Sequence, residues 1–278
     1  MMFNRPLSIF NAPHTEHYRW SVDLYWYAQK KFCNIKIDET TLVAIVKRNK
    51  PYEQKQETLA WNIDIPHKLV EAYYDYDPSL NNDDINYYQL NIEYGILQIL
   101  KDIPDEQVIE LIECDMFHLA PTPLYYIDDD MIITDNIYEE WHLKSRTDNQ
   151  HIVRPFIRGD IKFNGGFFPM ILKAKTLKKI IYPWIKALVD LLHSDITGNE
   201  RWWSGMYALQ IACQNENIKM LNENLCYIPG INDIEGKRIC HYSIGHEFNK
   251  RNFPNIDVSI FPDNAFYNTI TEWFAGFS

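Results

Sequence analysis

The stretch that most restricts the fold is "QVIELIECDMFHL", residues 107–119. Val108, Ile109, Leu111 and Ile112 make a short apolar run of the kind buried on both faces of a parallel sheet. The segment before it, "DDINYYQLNIEYGILQILKDIP", opens on acids, places Tyr87, Leu90, Tyr94 and Leu97 on one helical face and stops before Pro104. A buried strand entered from a helix needs neighbouring strands, and the upstream chain offers two. "LSIFNAP" (7–13) reads as a strand closed by Asn-Ala-Pro, and "TLVAIVKR" (41–48) as a second. Between them "TEHYRWSVDLYWYAQKKF" spaces Tyr18, Val22, Tyr25, Ala28 and Phe32 as a helix does, with Glu16 in its first turn and Lys30 and Lys31 in its last. After the second strand, "KPYEQ" begins a long irregular stretch. Strand, helix, strand, helix, strand predicts a doubly wound α/β sheet, with ligands beyond the carboxyl ends of its strands.

The buried run ends on two acids one residue apart, Glu113 and Asp115. Strand alternation predicts that both point to one face. Burying ionised carboxylates costs several kcal/mol per ion, roughly, unless a cation compensates. Either the strand stops as it reaches solvent, or positive charge sits there. Two carboxylates suit Mg²⁺ or Mn²⁺, with substrate phosphates and waters completing the shell. A nucleotide-sugar diphosphate is one such substrate, its departing charge neutralised by the ion. "YYIDDDMII" repeats the spacing at Asp128 and Asp130, but three consecutive aspartates suit a turn better.

Downstream, "LYYIDDDMIITD" (124–135) reads as a hairpin or loop and "FNGGFFPMIL" as a glycine turn before an apolar run. "LKKIIYPWIKALVDLLHS" is helical, with Pro183 kinking it or marking a new start. "ERWWSGMYALQIACQN" stripes Trp202, Met206, Leu209 and Cys213, and "DNAFYNTITEWFAGF" is an amphipathic tail helix. No low-complexity tract divides the 278 residues, so one domain with a C-terminal extension is expected. The net charge of −11 repels polyanions overall, while "IVKRNK", "LKAKTLKK" and "HEFNKRN" are local basic clusters. Five cysteines without ligand-like or framework spacing suggest reduced thiols and a cytoplasmic setting. No signal-length or membrane-spanning run is present, so no membrane association is expected. The abundance of Ile, Asn, Lys, Asp and Tyr fits an AT-rich genome such as that of a phage or large virus, which would place the protein in the host cytoplasm.

Several segments resemble, in order, those of the plant hydroxyproline O-arabinosyltransferase and peptidyl-serine galactosyltransferase group. "HYRWSVDLYWYAQKK" is similar to its first helix, and "LNIEYGILQILKDIPDEQVIELIECDMF" to its Asn-bearing helix and acidic metal motif. "NGGFFPMILKAKTLKKIIYPW", "WWSGMYALQIA" and "ICHYSIG" resemble its small-residue loop and Pro-Trp, its Trp…Met-Tyr helix and its closing His-Tyr…Gly. The resemblance implies a GT-A glycosyltransferase that uses a UDP-sugar and a divalent metal, Mn²⁺ or Mg²⁺. It divides the single domain 1–278 into a nucleotide-sugar-binding half (1–120), an acceptor half (121–250) and a tail (251–278).

Carried over by position, Asp115 would be the surest metal ligand, with Glu113 beside it and His241 as the distant third. Asn91 would contact the donor; Asn164, Gly165 and Gly166 would lie under the transferred sugar; His14 and Thr15 would meet the uridine, although Thr15 also suits a helix cap. The group has an acid directly before Met-Tyr, where this chain has Gly205. Glu200 is then the neighbouring candidate for the catalytic role, or a helix-start residue. On this resemblance the sugar would be an arabinose-type pentose or a hexose. The acceptor hydroxyl would belong to 5-hydroxymethylcytosine in phage DNA or a sugar on it, or else to a protein or glycan; a catalytically silent nucleotide-sugar-binding protein is the alternative.

Overall fold

The computed structural model describes residues 6–13, 16–33, 41–47, 67–73, 90–123, 126–135, 150–160, 166–196, 198–228, 235–242, 263 and 265–276. In chain order the strands are β1 (Leu7–Pro13), β2 (Thr41–Lys47), β3 (His67–Glu71), β4 (Val108–Ile112), β5 (Met116–His118), β6 (Met131–Asp135), β7 (Phe167–Lys173), β8 (Lys219–Glu223), β9 (Cys226–Tyr227) and β10 (Ile239–His241). The helices are α1 (Glu16–Cys33), α2 (Leu90–Leu100), α3 (Gln150–Val153), α4 (Ala174–Leu192), α5 (Gly198–Trp202), α6 (Ser204–Asn215) and α7 (Ala265–Ala275).

Seven strands form one sheet in the order β3-β2-β1-β4-β7-β6-β8, and β5-β10-β9 form a second. The large sheet is mostly parallel, as the sequence predicts; β7 alone runs against its neighbours β4 and β6. The strand over Met131–Asp135, buried throughout, replaces the hairpin or loop expected there. The approach, at Asp129 and Asp130, is a turn. β3 falls within the stretch read as irregular. Pro183 neither ends nor restarts its helix, since α4 runs through it.

Alternation assigns the layers. Phe10 of β1 stacks on Tyr25 of α1, ring centroids 4.4 Å apart, so α1 covers that face. The next residue, Asn11, points the other way and donates from Nδ2 to the Ile92 carbonyl of α2 at 2.9 Å. α4 packs beside α2 and against α6. The small sheet joins α1 through β5, and α7 closes over α1, with Trp273 6.4 Å from Trp20. The tail helix thus packs back on the body.

Candidate metal and donor site

β4 ends at Ile112, and the acid pair lies on the tight turn that follows. The Met116 N–H donates to the Glu113 carbonyl at 3.1 Å, closing the turn. The two carboxylates therefore converge through the turn, and not through the alternation of a continuing strand. This corrects the geometry expected from the sequence.

His241 arrives from 126 residues beyond Asp115 through pairing of strands. β10 runs antiparallel to β5 with His241 opposite Met116, and the Tyr242 N–H donates to the Asp115 carbonyl at 3.0 Å. Tyr242 Oη donates to the Cys114 carbonyl at 3.1 Å and pins the turn from the other side. His241 Nε2 then lies 3.4 Å from Asp115 Oδ1 and 3.8 Å from Glu113 Oε2. Ligand atoms of the three residues all fall within 4.8 Å of one another. Burial works to lower the His241 pKa, but Asp115 by charge and hydrogen bond, then Glu113 and Asp135 by charge, hold it above its ordinary value. Two hard oxygen donors and one imidazole, gathered half-buried at the carboxyl end of a central strand, fit Mn²⁺ or Mg²⁺.

Two further acids stand near this cluster, and the sequence reading passed over both. Glu93 of α2 is buried, and its Oε2 has no hydrogen-bond partner among the described residues. Burial chiefly, offset by a backbone hydrogen bond and reinforced by the charge of Glu113, pushes its pKa up to about 8. Its position three after Leu90 and four before Leu97, on the apolar stripe of the helix, was the available signal. Asp135 ends β6 as Glu113 follows β4, an acid closing an apolar run. Its Oδ1 accepts the Leu225 and Cys226 N–H groups at 2.8 and 3.1 Å.

Asn91 is buried, with Oδ1 accepting the Tyr73 N–H at 2.9 Å just beyond β3 and Nδ2 unpartnered among the described residues. Gly166 enters β7 so close to β6 that a Cβ there would lie 1.9 Å from Thr134 Oγ1. Glu200 sits in the first turn of α5 and is not part of the three-residue cluster. Gly205 is buried in α6, its carbonyl accepting Trp184 Nε1 at 3.2 Å. His14, Thr15, Asn164 and Gly165 lie outside the described residues.

The rival acids Asp128 and Asp130 are exposed at the opposite end of the sheet. There Asp130 pairs with Lys179 at 2.8 Å, and Asp129 with Lys173 at 2.7 Å. Glu106 and Asp105 take Lys175 at 2.7 Å and Lys178 at 2.6 Å. The lysines of "LKAKTLKK" are thus spent on carboxylates. The side chains of "IVKRNK" and "HEFNKRN" lie outside the described residues.

A family model described as the hydroxyproline O-arabinosyltransferase family N-terminal domain matches residues 9–222. The chain belongs to this family. Among solved structures, the bifunctional glycosyltransferase WbbM in its apo form is similar with a TM-score of 0.50 at 10% identity, over 98% of this chain and 50% of that one. The chain thus spans half the length of WbbM. Mouse xyloside xylosyltransferase 1, apo form, aligns at 12% identity over 86% of this chain and 98% of that one, with a TM-score of 0.47. No curated protein sequence matches. The fold of this family member is that of GT-A glycosyltransferases, and glycosyl transfer is its class of chemistry. Among the described residues, no helix is long and apolar enough to cross a membrane.

Proposed function

We propose that this family member transfers a pentose or hexose from a UDP-sugar to an acceptor hydroxyl, with Mn²⁺ or Mg²⁺ held by Glu113, Asp115 and His241. The observation that carries this reading is the convergence of two carboxylates and one imidazole within 4.8 Å at the carboxyl end of β4. Bound there, the ion supplies charge neutralisation for the departing diphosphate. The three side chains hold opposite sides of the site: the turn brings the carboxylates, and β10 brings the imidazole. Gly166, Asn164 and Gly165 lie under the sugar in this reading, where missing side chains admit close approach. Asn91 meets the donor through Nδ2, and His14 and Thr15 meet the uridine. With Gly205 in the place of the family acid, Glu200 is assigned the catalytic role. The net charge of −11 favours a protein or glycan hydroxyl over DNA as acceptor.

The test is thermal unfolding with UDP and UDP-sugars, with and without Mn²⁺. At a ligand concentration about 100 times Kd the melting temperature should rise by roughly 5 °C, in the presence of the metal only. Asp115→Ala should abolish that rise and the transfer together. A rise of equal size in Asp115→Ala, or none in the unaltered protein, overturns the reading. Metal-dependent binding with no turnover of any UDP-sugar would instead identify a silent binding protein.

A further inference from the structure

His241 is delivered by the central strand of the small sheet, so its place depends on how that sheet sits against the large one. Register fixes which side chains face the contact. Ser8 of β1 lies opposite Glu110 of β4, Glu110 opposite Ile171 of β7, and Ile171 opposite Ile133 of β6, so the four form one row on one face. Asp135, two residues after Ile133, falls on that face too. Glu110 and Asp135 are buried, at 1% and 2% exposure.

Each is committed to a different outer strand of the small sheet. Glu110 Oε2 contacts His118 Nε2 of β5 at 2.8 Å and accepts Ser8 Oγ at 2.7 Å, while Oε1 accepts the Thr122 hydroxyl. His118 Nδ1 in turn lies 2.7 Å from the Gln29 amide of α1. Asp135 takes the consecutive Leu225 and Cys226 amides where the chain enters β9. β5 and β9 flank β10, with His118 opposite Ile239 and Cys226 opposite Ile239 from the other side. One residue of β10 is thus gripped from both sides, two positions before His241.

We propose that Glu110 and Asp135 are positioning residues that clamp the outer strands of the small sheet and so set His241 against Glu113 and Asp115. The inference rests on the metal reading above. Neither acid belongs to the three-residue cluster; Glu110 reaches it through strand pairing, and Asp135 through strand pairing beside the direct effect of its charge on His241. Groups that orient a ligand from outside the coordination shell alter metal affinity by about 10–100-fold when removed.

The experiment titrates Mn²⁺ by electron paramagnetic resonance, with no sugar donor and no turnover. Asp135→Ala, which removes the acceptor of two amides, should weaken Mn²⁺ binding at least about 10-fold. Asp135→Asn, which keeps an oxygen for the two amides but loses the charge near His241, should weaken binding less than Asp135→Ala; an equal loss in both assigns the effect to charge and overturns the clamp at Asp135. His118→Leu, which takes the imidazole from Glu110, should behave as Asp135→Ala does. A folded Asp135→Ala or His118→Leu protein that binds Mn²⁺ as the unaltered chain does overturns the proposal. A second measurement needs no variant. Coupling between sites is reciprocal, so Mn²⁺ must slow hydrogen exchange at the Leu225 and Cys226 amides relative to the Lys219 amide at the far end of β8. Equal exchange with and without the ion also overturns the clamp. If the unaltered protein binds no Mn²⁺, the metal reading itself falls and the clamp with it; Mn²⁺ binding lost in Asp115→Ala but intact in Asp135→Ala sinks the clamp alone.

Discussion

Glu93 holds its carboxyl where water does not reach, near a second acid, and that single residue sets a pH dependence for the whole chain. Its folded-state pKa of about 8 stands above the ordinary 4.5. The folded protein therefore keeps a proton that the unfolded chain gives up between those values. Stability on this account is full below about 4.5 and declines as pH rises towards about 8. The slope from one such group approaches 1.4 kcal/mol per pH unit, roughly. Glu93→Gln should flatten the decline, measured as urea unfolding free energy across that window; an unchanged slope would place its source elsewhere. Glu110 works in the opposite sense and at lower pH. Burial raises its pKa, but His118 by charge and hydrogen bond, with Thr122 and Ser8, outweighs it and holds the value down. Its contribution is present above the ordinary carboxylate value and is lost as pH falls through the lowered one, so the two acids are separable. At this scale the candidate ligands were legible: an apolar run closing on acids named Glu113 and Asp115, and the family resemblance named His241. Asp135 carried the same run-then-acid signal, but as a lone acid it had no partner to mark it.

Among the elements, the junction where β7 enters the sheet is closely packed. Gly166 lies against Thr134 of β6, whose hydroxyl donates to Asn222 Oδ1 of β8 at 3.0 Å, so three strands meet without space for a methyl group. Gly166→Ala should lower stability by about 1–3 kcal/mol, the range for overpacking a filled interior, read from chemical denaturation. It should also depress transfer if the loop underlies the sugar. The helices α1, α4 and α7 were readable because long amphipathic segments declare themselves through a 3.6-residue period. The strands β5, β9 and β10, of three, two and three residues, were not. A strand that short has no period, and only its distant partner makes it one. β6 was hidden behind Asp128, Asp129 and Asp130, whose turn chemistry extended the loop reading over the run that follows.

The molecule as a whole carries −11, and the one basic cluster whose lysine side chains are described is paired with acids. Duplex DNA bearing 5-hydroxymethylcytosine should accordingly form a gel-shift complex only at low ionic strength, with binding falling steeply as salt rises. A complex that survives physiological salt would restore DNA as acceptor; none at any salt would leave the protein or glycan hydroxyl. Local sequence determined the strand–helix alternation, the mostly parallel sheet and the acidic end of β4, because hydrophobic period and helix-end chemistry act over a few residues. Tertiary structure decided the rest. Whether His241 reaches Asp115 depends on β10 finding β5 across more than a hundred residues, and on buried carboxylates holding the second sheet to the first. No local pattern encodes such pairings, since their free energy exists only once both partners are in place.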